Sequence, residues 1–137
     1  MAELECVIVT PERKVLQEPV DAVIVPLFDG ELGVFPQHAP MIGRLGAGEV
    51  RVRQGNDLKR FYIEGGIVEV FEKTVSIITT RAMKAGDIAP DEVHGELSTL
   101  LSQRIAGEDE LEKHEQELRR LRAMLRVARR SVRSSAG

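Results

Sequence analysis

The chain has 137 residues, a formal net charge of −3, one cysteine and no tryptophan, a size that fits one domain or a small domain with an appendage. Few aromatic residues and no basic excess argue against nucleic-acid binding, and a single cysteine excludes an intramolecular disulfide and a multi-cysteine metal site. The N-terminus has no signal-peptide pattern and no apolar run approaches the length of a membrane-spanning helix, so a reduced, cytosolic protein is expected.

Residues 1–86 are expected to form an antiparallel β-sandwich or barrel, because short apolar stretches alternate with turn-forming segments and no helix intervenes. In "EVRVRQ" at 49–54, the valines are expected to face inward and the arginines outward. Gly55–Asp57 is a hairpin signal, and the glycine-rich "GRLGAG" at 43–48 is interpreted as a turn between strands. Gly65 and Gly66 inside a strand pattern predict a bulge or a close backbone approach. The predicted strands are 4–9, 20–27, 49–54, 61–71 and 74–80.

Residues 87–137 are expected to form an antiparallel helical hairpin. Pro90 suits the first position of a helix, and the acids after it complement the helix dipole; this helix is expected to break at Gly107. The second helix carries an apolar seam in steps of three and four residues. The seam residues are Leu111, His114, Leu118, Leu121, Leu125, Ala128 and Val132, which follow Val93, Leu97, Leu100, Leu101 and Ile105 of the first helix.

Each helix of this hairpin has one apolar face, and an isolated pair of short helices is only marginally stable in water. The hairpin is therefore expected to dock on its own sandwich, on another protein, or on each in turn. Its second helix is acidic at the front and rich in arginine at the back, from Arg119 to Arg133. Dipole complementation needs fewer arginines, so the candidate partners are an acidic protein surface, a nucleotide phosphate and, as the weakest of the three, nucleic acid.

His38 suggests catalysis at first, because it lies near Asp29 and Glu31 in "DGELGVFPQHAP" and imidazole titrates near neutral pH. No accompanying nucleophile is evident, so a role in fixing the turn is favoured over a small hydrolase. The three histidines lack metal-ligand spacing, Cys6 alternates with apolar neighbours as a core thiol would, and "GRLGAG" lacks the lysine of a phosphate loop. No catalytic, cofactor or metal site is predicted.

Five segments, in order, resemble the epsilon subunit of bacterial F-type ATP synthases. They are "VTPERKVL", "VDAVIVP", "DGELGVFPQHAP", "YIEGGIVEV" and "LRVARR", and the similarity extends over essentially the whole chain. The resemblance implies a sandwich of about ten strands followed by a helix–loop–helix. It also implies a non-catalytic rotor subunit on the cytoplasmic face of the bacterial inner membrane, which couples proton-driven ring rotation to catalysis and inhibits ATP hydrolysis through its hairpin.

The resemblance also implies partners and contact residues. The partners are the gamma subunit of the central stalk, the polar loops of the c-ring, and the alpha and beta subunits, with no nucleic acid and no direct membrane insertion. Asp29, Glu31 and His38 match the ring- and stalk-facing positions of the family. The arginines that would meet an acidic segment of the beta subunits are Arg119, Arg122, Arg126, Arg129 and Arg130.

Some members of this family bind ATP through an Ile/Leu-Asp-x-x-Arg-Ala motif, and the corresponding segment here is Ile88–Val93. Ile88 fits, but Ala89 replaces the acid and Glu92-Val93 replaces Arg-Ala, so a carboxylate stands where an arginine would hold phosphate. No cofactor is therefore expected, and a nucleotide-sensing module is the alternative function. In the turn, Gln37 replaces the usual glycine and is expected to alter it, because Gln takes positive φ at a cost.

Overall fold

The computed structural model describes residues 4–136, with side chains as far as residue 130. The chain divides between Lys84 and Ala85 into two compact units, a β unit and a helical unit. The seam residue Val132, Arg133 of the basic run and the terminal "SSAG" lie outside the described side chains.

The β unit forms a mixed sheet of eight strands within the described residues. They run in the order β2-β1-β7-β6-β5-β3-β4, with β8 paired to β6. The pair β1–β7 is parallel and the other pairs are antiparallel, so the expectation of a purely antiparallel sandwich is wrong at this one pair. The strands are β1 Leu4–Val9, β2 Lys14–Val20, β3 Ala22–Leu27, β4 Gly30–Val34, β5 Met41–Gln54, β6 Asp57–Phe71, β7 Thr74–Ile78 and β8 Ala82–Lys84.

Three of these strands were not predicted, and the single strand predicted over 20–27 is divided between the end of β2 and β3. The strand predicted over 20–27 is interrupted at Asp21, whose carboxylate accepts a hydrogen bond of 2.6 Å from the Gly55 backbone N–H. The hairpin predicted at Gly55–Asp57 is confirmed: Gln54 of β5 pairs with Asp57 of β6, and the two-residue loop between them begins at Gly55, which has φ 61°. The missed strands are β2, β4 and the short β8.

The segment "GRLGAG" is part of strand β5, so its interpretation as a turn is wrong. β5 pairs with β6 from Met41 opposite Val70 to Gln54 opposite Asp57. Its glycines serve a close approach of β3 instead, since a Cβ at Gly48 would lie 3.0 Å from Pro26 and one at Gly46 would lie 3.3 Å from the Leu27 carbonyl oxygen. Glycine here makes room for a neighbouring strand rather than for a reversal of the chain.

Gly65 and Gly66 form the predicted irregularity within β6, and the close backbone approach is confirmed. Their φ values are 67° and 109°, and a Cβ built on Gly66 would lie only 2.0 Å from the Ile78 carbonyl oxygen. On one side of these glycines β6 pairs with β8, and on the other side it pairs with β7. Strands that change partners at such a bend are typical of sandwiches, and counting β5 and β6 as two strands each accounts for the expected number of about ten.

The inward-facing residues of the sheet form the core of the β unit. Val50 and Val52 are buried as predicted, and Arg53 is exposed. Cys6 is fully buried in the core between Leu4 and Ile8. Burial raises the pKa of its thiol to about 12, with a further increase from the negative charge of Glu18.

The helical unit contains α1, Pro90–Leu101, and α2, Glu108–Ala136, after a single turn of 3-10 helix at Ala85–Asp87. Pro90 begins α1 as predicted. The expected break at Gly107 is wrong, because α1 ends at Leu101 and Ile105 lies in the linker. The Ser102 hydroxyl donates a 2.8 Å hydrogen bond to the Thr99 carbonyl oxygen and so competes with continuation of the helix.

The apolar seam of α2 is buried only in its second half. Leu121, Leu125 and Ala128 are buried, whereas Leu111 at the front is 45% exposed and His114 is half-buried. Ala123, Met124 and Val127 are buried too, so the apolar surface of α2 is wider than the predicted seam.

Candidate protein-contact surfaces

The acids Asp29 and Glu31 lie at the hairpin between β3 and β4. Leu27 pairs with Gly30, which leaves Phe28 and Asp29 as a two-residue loop with an exposed carboxylate. Glu31 is exposed, and the Arg51 guanidinium donates to both of its carboxylate oxygens at 3.2 Å. The same guanidinium approaches Glu49 at 3.5 Å. Both contacts come from one nitrogen, Nη2, so the two carboxylate oxygens share a single donor group, and an exposed pair of this kind adds little stability.

His38 closes a tight turn that follows β4. The His38 backbone N–H donates to the Phe35 carbonyl at 3.2 Å, Pro36 is the second residue of the turn, and Gln37 has φ 69. Proline followed by a residue of positive φ is the pattern of a type II turn. Gln37 thus adopts the positive φ for which glycine is favoured, contrary to the expectation that its side chain would alter the turn. The imidazole Nδ1 donates to the Ala39 carbonyl at 2.7 Å.

The stretch 29–40 therefore contains two turns separated by strand β4. Within residues 4–136, no hydrogen bond or ion pair joins His38 to Asp29 or Glu31. The hydrogen bonds of His38 to its own turn agree with a structural role for the ring rather than with a catalytic relay, which needs an oriented acid.

Arginines occupy one side of α2. The 100° step of an α-helix places five arginines within about 100° of arc, on a different side of the helix from the buried residues 121, 125 and 128. The five are 119, 122, 126, 129 and 130. All five side chains are exposed. Arg119, Arg122, Arg126 and Arg129 have no ion-pair partner among the described residues. Arg120 differs from them, because it pairs with Glu117 one turn earlier through Nε at 3.0 Å.

The outer face of β5, β6 and β7 carries exposed apolar residues around one exposed acid, Glu69, a feature that the sequence interpretation missed. Ile42 is 72% exposed and Phe71 57% exposed, and Ile67 lies opposite Ile78 on the neighbouring strand, both partly exposed. We name these four residues the outer apolar face. The signal was present in "GGIVEVF", where apolar residues occupy both alternating sets of positions, a pattern typical of strands covered on both sides.

The segment that corresponds to the ATP motif lies at the start of α1. Ile88 is buried, and Ala89 caps the helix without a side-chain hydrogen bond. Asp91 and Glu92 are exposed in the first turn. The match at Ile88 is thus explained by packing, and the absence of nucleotide binding stays a prediction.

Two further properties concern the part of the chain that the structure describes. Within residues 4–136, no group of three or more histidine, cysteine or acidic side chains is arranged to hold a metal ion. Over the same residues, neither α1 nor α2 combines the length and the apolar composition that crossing a bilayer requires.

Comparison with known sequences identifies the family. The family model described as ATP synthase, Delta/Epsilon chain, beta-sandwich domain matches residues 3–85. An ATP synthase epsilon chain from Rhodopirellula baltica is 36% identical over 126 residues, which cover 92% of this chain and 98% of that one. The chain belongs to the ATP synthase epsilon chain family. A second epsilon chain, from Syntrophobacter fumaroxidans, is 46% identical over 89 residues, or 64% of this chain and 66% of that one.

Solved structures share the fold of this epsilon-family chain. A chain in the Euglena gracilis mitochondrial ATP synthase structure, OSCP/F1/c-ring, has a TM-score of 0.77 at 24% identity, with 84% of this chain and 74% of that chain covered. A chain in the Tetrahymena thermophila mitochondrial ATP synthase central stalk/c-ring structure has a TM-score of 0.72 at 15% identity, with 92% and 96% covered. At these identities the likeness concerns the fold, which agrees with the expected sandwich followed by two helices.

Proposed function

We propose that this chain is a non-catalytic rotor subunit of the central stalk of an F-type ATP synthase, and that it couples ring rotation to catalysis and inhibits ATP hydrolysis through its helical hairpin. The observation that carries the proposal, beside family membership, is the outer apolar face. Exposed apolar surface of this kind marks a protein-contact site rather than a feature of a free monomer. On this proposal the chain acts through its contacts with other subunits.

The outer apolar face is the surface we assign to the gamma subunit. Ile42, Ile67, Phe71 and Ile78 lie on adjacent strands of one sheet, so the surface is broad and rigid. Stable contacts of a permanent complex are more apolar than transient ones, and a stalk subunit that turns with its partner needs a contact of that kind.

The two acids of the β3–β4 hairpin, Asp29 and Glu31, and the His38 turn are the surface we assign to the polar loops of the c-ring. Asp29 presents an exposed carboxylate, and Glu31 presents one that is paired with Arg51. The hydrogen bond from the His38 imidazole to Ala39 fixes that turn. Polar groups already fixed by the fold lose little freedom on binding.

The regulatory role rests on the arginines of α2. Arg119, Arg122, Arg126, Arg129 and Arg130 present a row of cations along one side of a long helix. Such a row suits the acidic segment that the family resemblance implies on the beta subunits, because guanidinium groups bind carboxylates in a bidentate geometry. In the complex the chain is a peripheral subunit on the cytoplasmic face of the bacterial inner membrane, without ATP as a cofactor.

Reconstitution tests this proposal. The gamma subunit and the alpha–beta head are combined with the full chain, with a chain truncated after residue 86, or with a chain whose five α2 arginines are changed to glutamine. We expect every form to bind gamma, and the truncated and glutamine forms to relieve inhibition of ATP hydrolysis. An Arg53→Gln chain is the control, since Arg53 is an exposed arginine of the β unit.

Equal hydrolysis with the full, truncated and glutamine forms would refute the regulatory role. Failure of the full chain to bind gamma would refute the stalk assignment. The nucleotide-sensing alternative is tested by calorimetric titration with ATP, for which we expect no binding below millimolar concentrations.

A further inference from the structure

Phe28 lies at the tip of the β3–β4 hairpin and is 71% exposed. The Arg44 guanidinium carbon lies 4.9 Å from the centre of its ring, within the range of a cation–π contact. The Phe28 backbone N–H also donates to the Arg44 carbonyl at 2.9 Å. Two independent contacts therefore fix the hairpin tip to β5, although the aromatic ring stays mostly in solvent.

Arg44 adjoins the outer apolar face. It pairs in register with Ile67 on β6, and it points to the same side of β5 as Ile42, because Leu45 and the intervening Gly43 face the core. Arg44 thus extends the outer apolar face along β5, and Phe28 extends it further, to the loop between β3 and β4. Within the described residues, no carboxylate forms an ion pair with Arg44.

We propose that Phe28 and Arg44 form an anchor for the gamma subunit, which presents a carboxylate to Arg44 and an apolar side chain to Phe28. This inference rests on the proposed function, in which gamma covers the outer apolar face. Gamma is the assigned occupant because the anchor is continuous with that face. The carboxylate follows from charge, since covering the face removes water from Arg44 and a desolvated cation needs an opposite charge. Glu69, the acid on the same face, lies opposite Ile42 and forms no ion pair with Arg44 among the described residues.

The stacked geometry explains why an arginine serves here. The guanidinium is planar and weakly hydrated, and it stacks on an aromatic face while its edge donors stay free for a bidentate bond. Contact with Phe28 holds the side chain in place before the partner arrives, so less conformational freedom is lost on binding. A lysine at position 44 would keep the charge but lose the planar fork.

The experiment measures the affinity of the isolated gamma subunit, and separately of the isolated c-ring, for the full chain and for Phe28→Ala, Arg44→Gln and Arg44→Lys chains, at several salt concentrations. Arg53→Gln is the matched control, because Arg53 is an exposed arginine on the same strand, far from the outer apolar face. We expect Phe28→Ala and Arg44→Gln each to weaken binding about tenfold or more, as truncated aromatic and arginine anchors do. Arg44→Gln should also reduce the dependence of gamma affinity on salt concentration. The affinity of the Arg44→Lys chain should lie between those of the parent and Arg44→Gln chains.

Each outcome bears on one claim. Full-strength binding by Phe28→Ala and Arg44→Gln chains, beside normal binding by the parent chain, would refute the anchor and leave the proposed function intact. Loss of binding to the c-ring alone would also refute it, because the occupant would then be the ring. If the parent chain itself fails to bind gamma, the proposed function fails. Circular dichroism of each variant checks that the fold is kept.

Discussion

The tightest backbone contact in the β unit, at Gly66, gives a sharp prediction for Gly66→Ala. The added methyl group would lie 2.0 Å from the Ile78 carbonyl oxygen, which is 1.0 Å closer than the 3.0 Å below which Cβ contacts essentially do not occur. The residue also has φ 109, a region that side chains rarely adopt. Relief requires β7 to move away from β6 at the pair Ile67–Ile78.

The magnitude follows from these two costs. Backbone strain contributes about 1–3 kcal/mol, and separation of β7 adds lost hydrogen bonds and packing, so we expect a total of about 4 kcal/mol or more. Gly65→Ala is the matched control, because Gly65 has φ 67 but no atom within 4 Å of the added methyl group. Its cost should stay near about 1–2 kcal/mol, the penalty for a left-handed residue.

Urea unfolding followed by tyrosine fluorescence measures both variants. Tyr62 is the single tyrosine of the chain and is fully buried in β6, so its signal reports on the β unit. A Gly66→Ala chain that loses no more stability than Gly65→Ala would refute the reasoning, since the two substitutions differ chiefly in the contact with Ile78.

Three further predictions concern the pH dependence, the turn and the hairpin. The Cys6 thiol has a pKa near its ordinary 9.0 when unfolded and about 12 when folded. The contribution of the protonated thiol to the free energy of unfolding is therefore complete below pH 9 and falls by about 1.4 kcal/mol per pH unit between pH 9 and 12. A Cys6→Ala chain, unfolded in urea at several alkaline pH values, should lack this slope. Gln37→Gly should increase the free energy of unfolding by less than about 1 kcal/mol, because it removes a side chain from a residue with φ 69°. The midpoint temperature of thermal unfolding should therefore rise slightly, and a lower midpoint would contradict this. Leu121→Ala should destabilise the helical unit by about 2–5 kcal/mol, as measured by amide hydrogen exchange, whereas the exposed Leu111→Ala should cost far less.

Strands with strong apolar alternation could be predicted, and the edge strands could not. β2 contains Pro19 and charged residues, and β4 is the short "GELGV", so neither carries a clear periodic pattern. Both lie at the edges of the sheet, where proline, glycine and charge prevent further pairing. The features that protect an edge thus weaken the sequence signal for a strand.

Glycine could not be interpreted from sequence alone, because its function depends on a neighbour. At Gly65–Gly66 the surrounding strand pattern was strong enough to predict a close approach. At Gly46 and Gly48 the same residue type makes room for β3, and the distance between β3 and β5 is a property of the folded sheet. Local composition therefore predicted a turn where tertiary packing required a strand.

For the candidate contact surfaces, the residues could be predicted from the sequence but their contacts could not. The acids, His38 and the arginines of α2 could be named through resemblance to the family, and their surroundings could not. The ion pair between Glu31 and Arg51 joins residues 20 positions apart in the chain. The Phe28–Arg44 pair likewise depends on the register of β3 against β5.

The continuous pairing of β5 with β6 has a mechanical consequence. At about 3.3 Å per residue, these strands form a ribbon on the order of 45 Å long. A body that transmits torque twists first at its softest joint, and the only irregularity in this ribbon's described pairing lies at Gly46 and Gly65. Gly66 lies so close to the Ile78 backbone there that no side chain would fit between them, so the joint is packed directly against β7. The β unit should therefore be torsionally stiff along this ribbon.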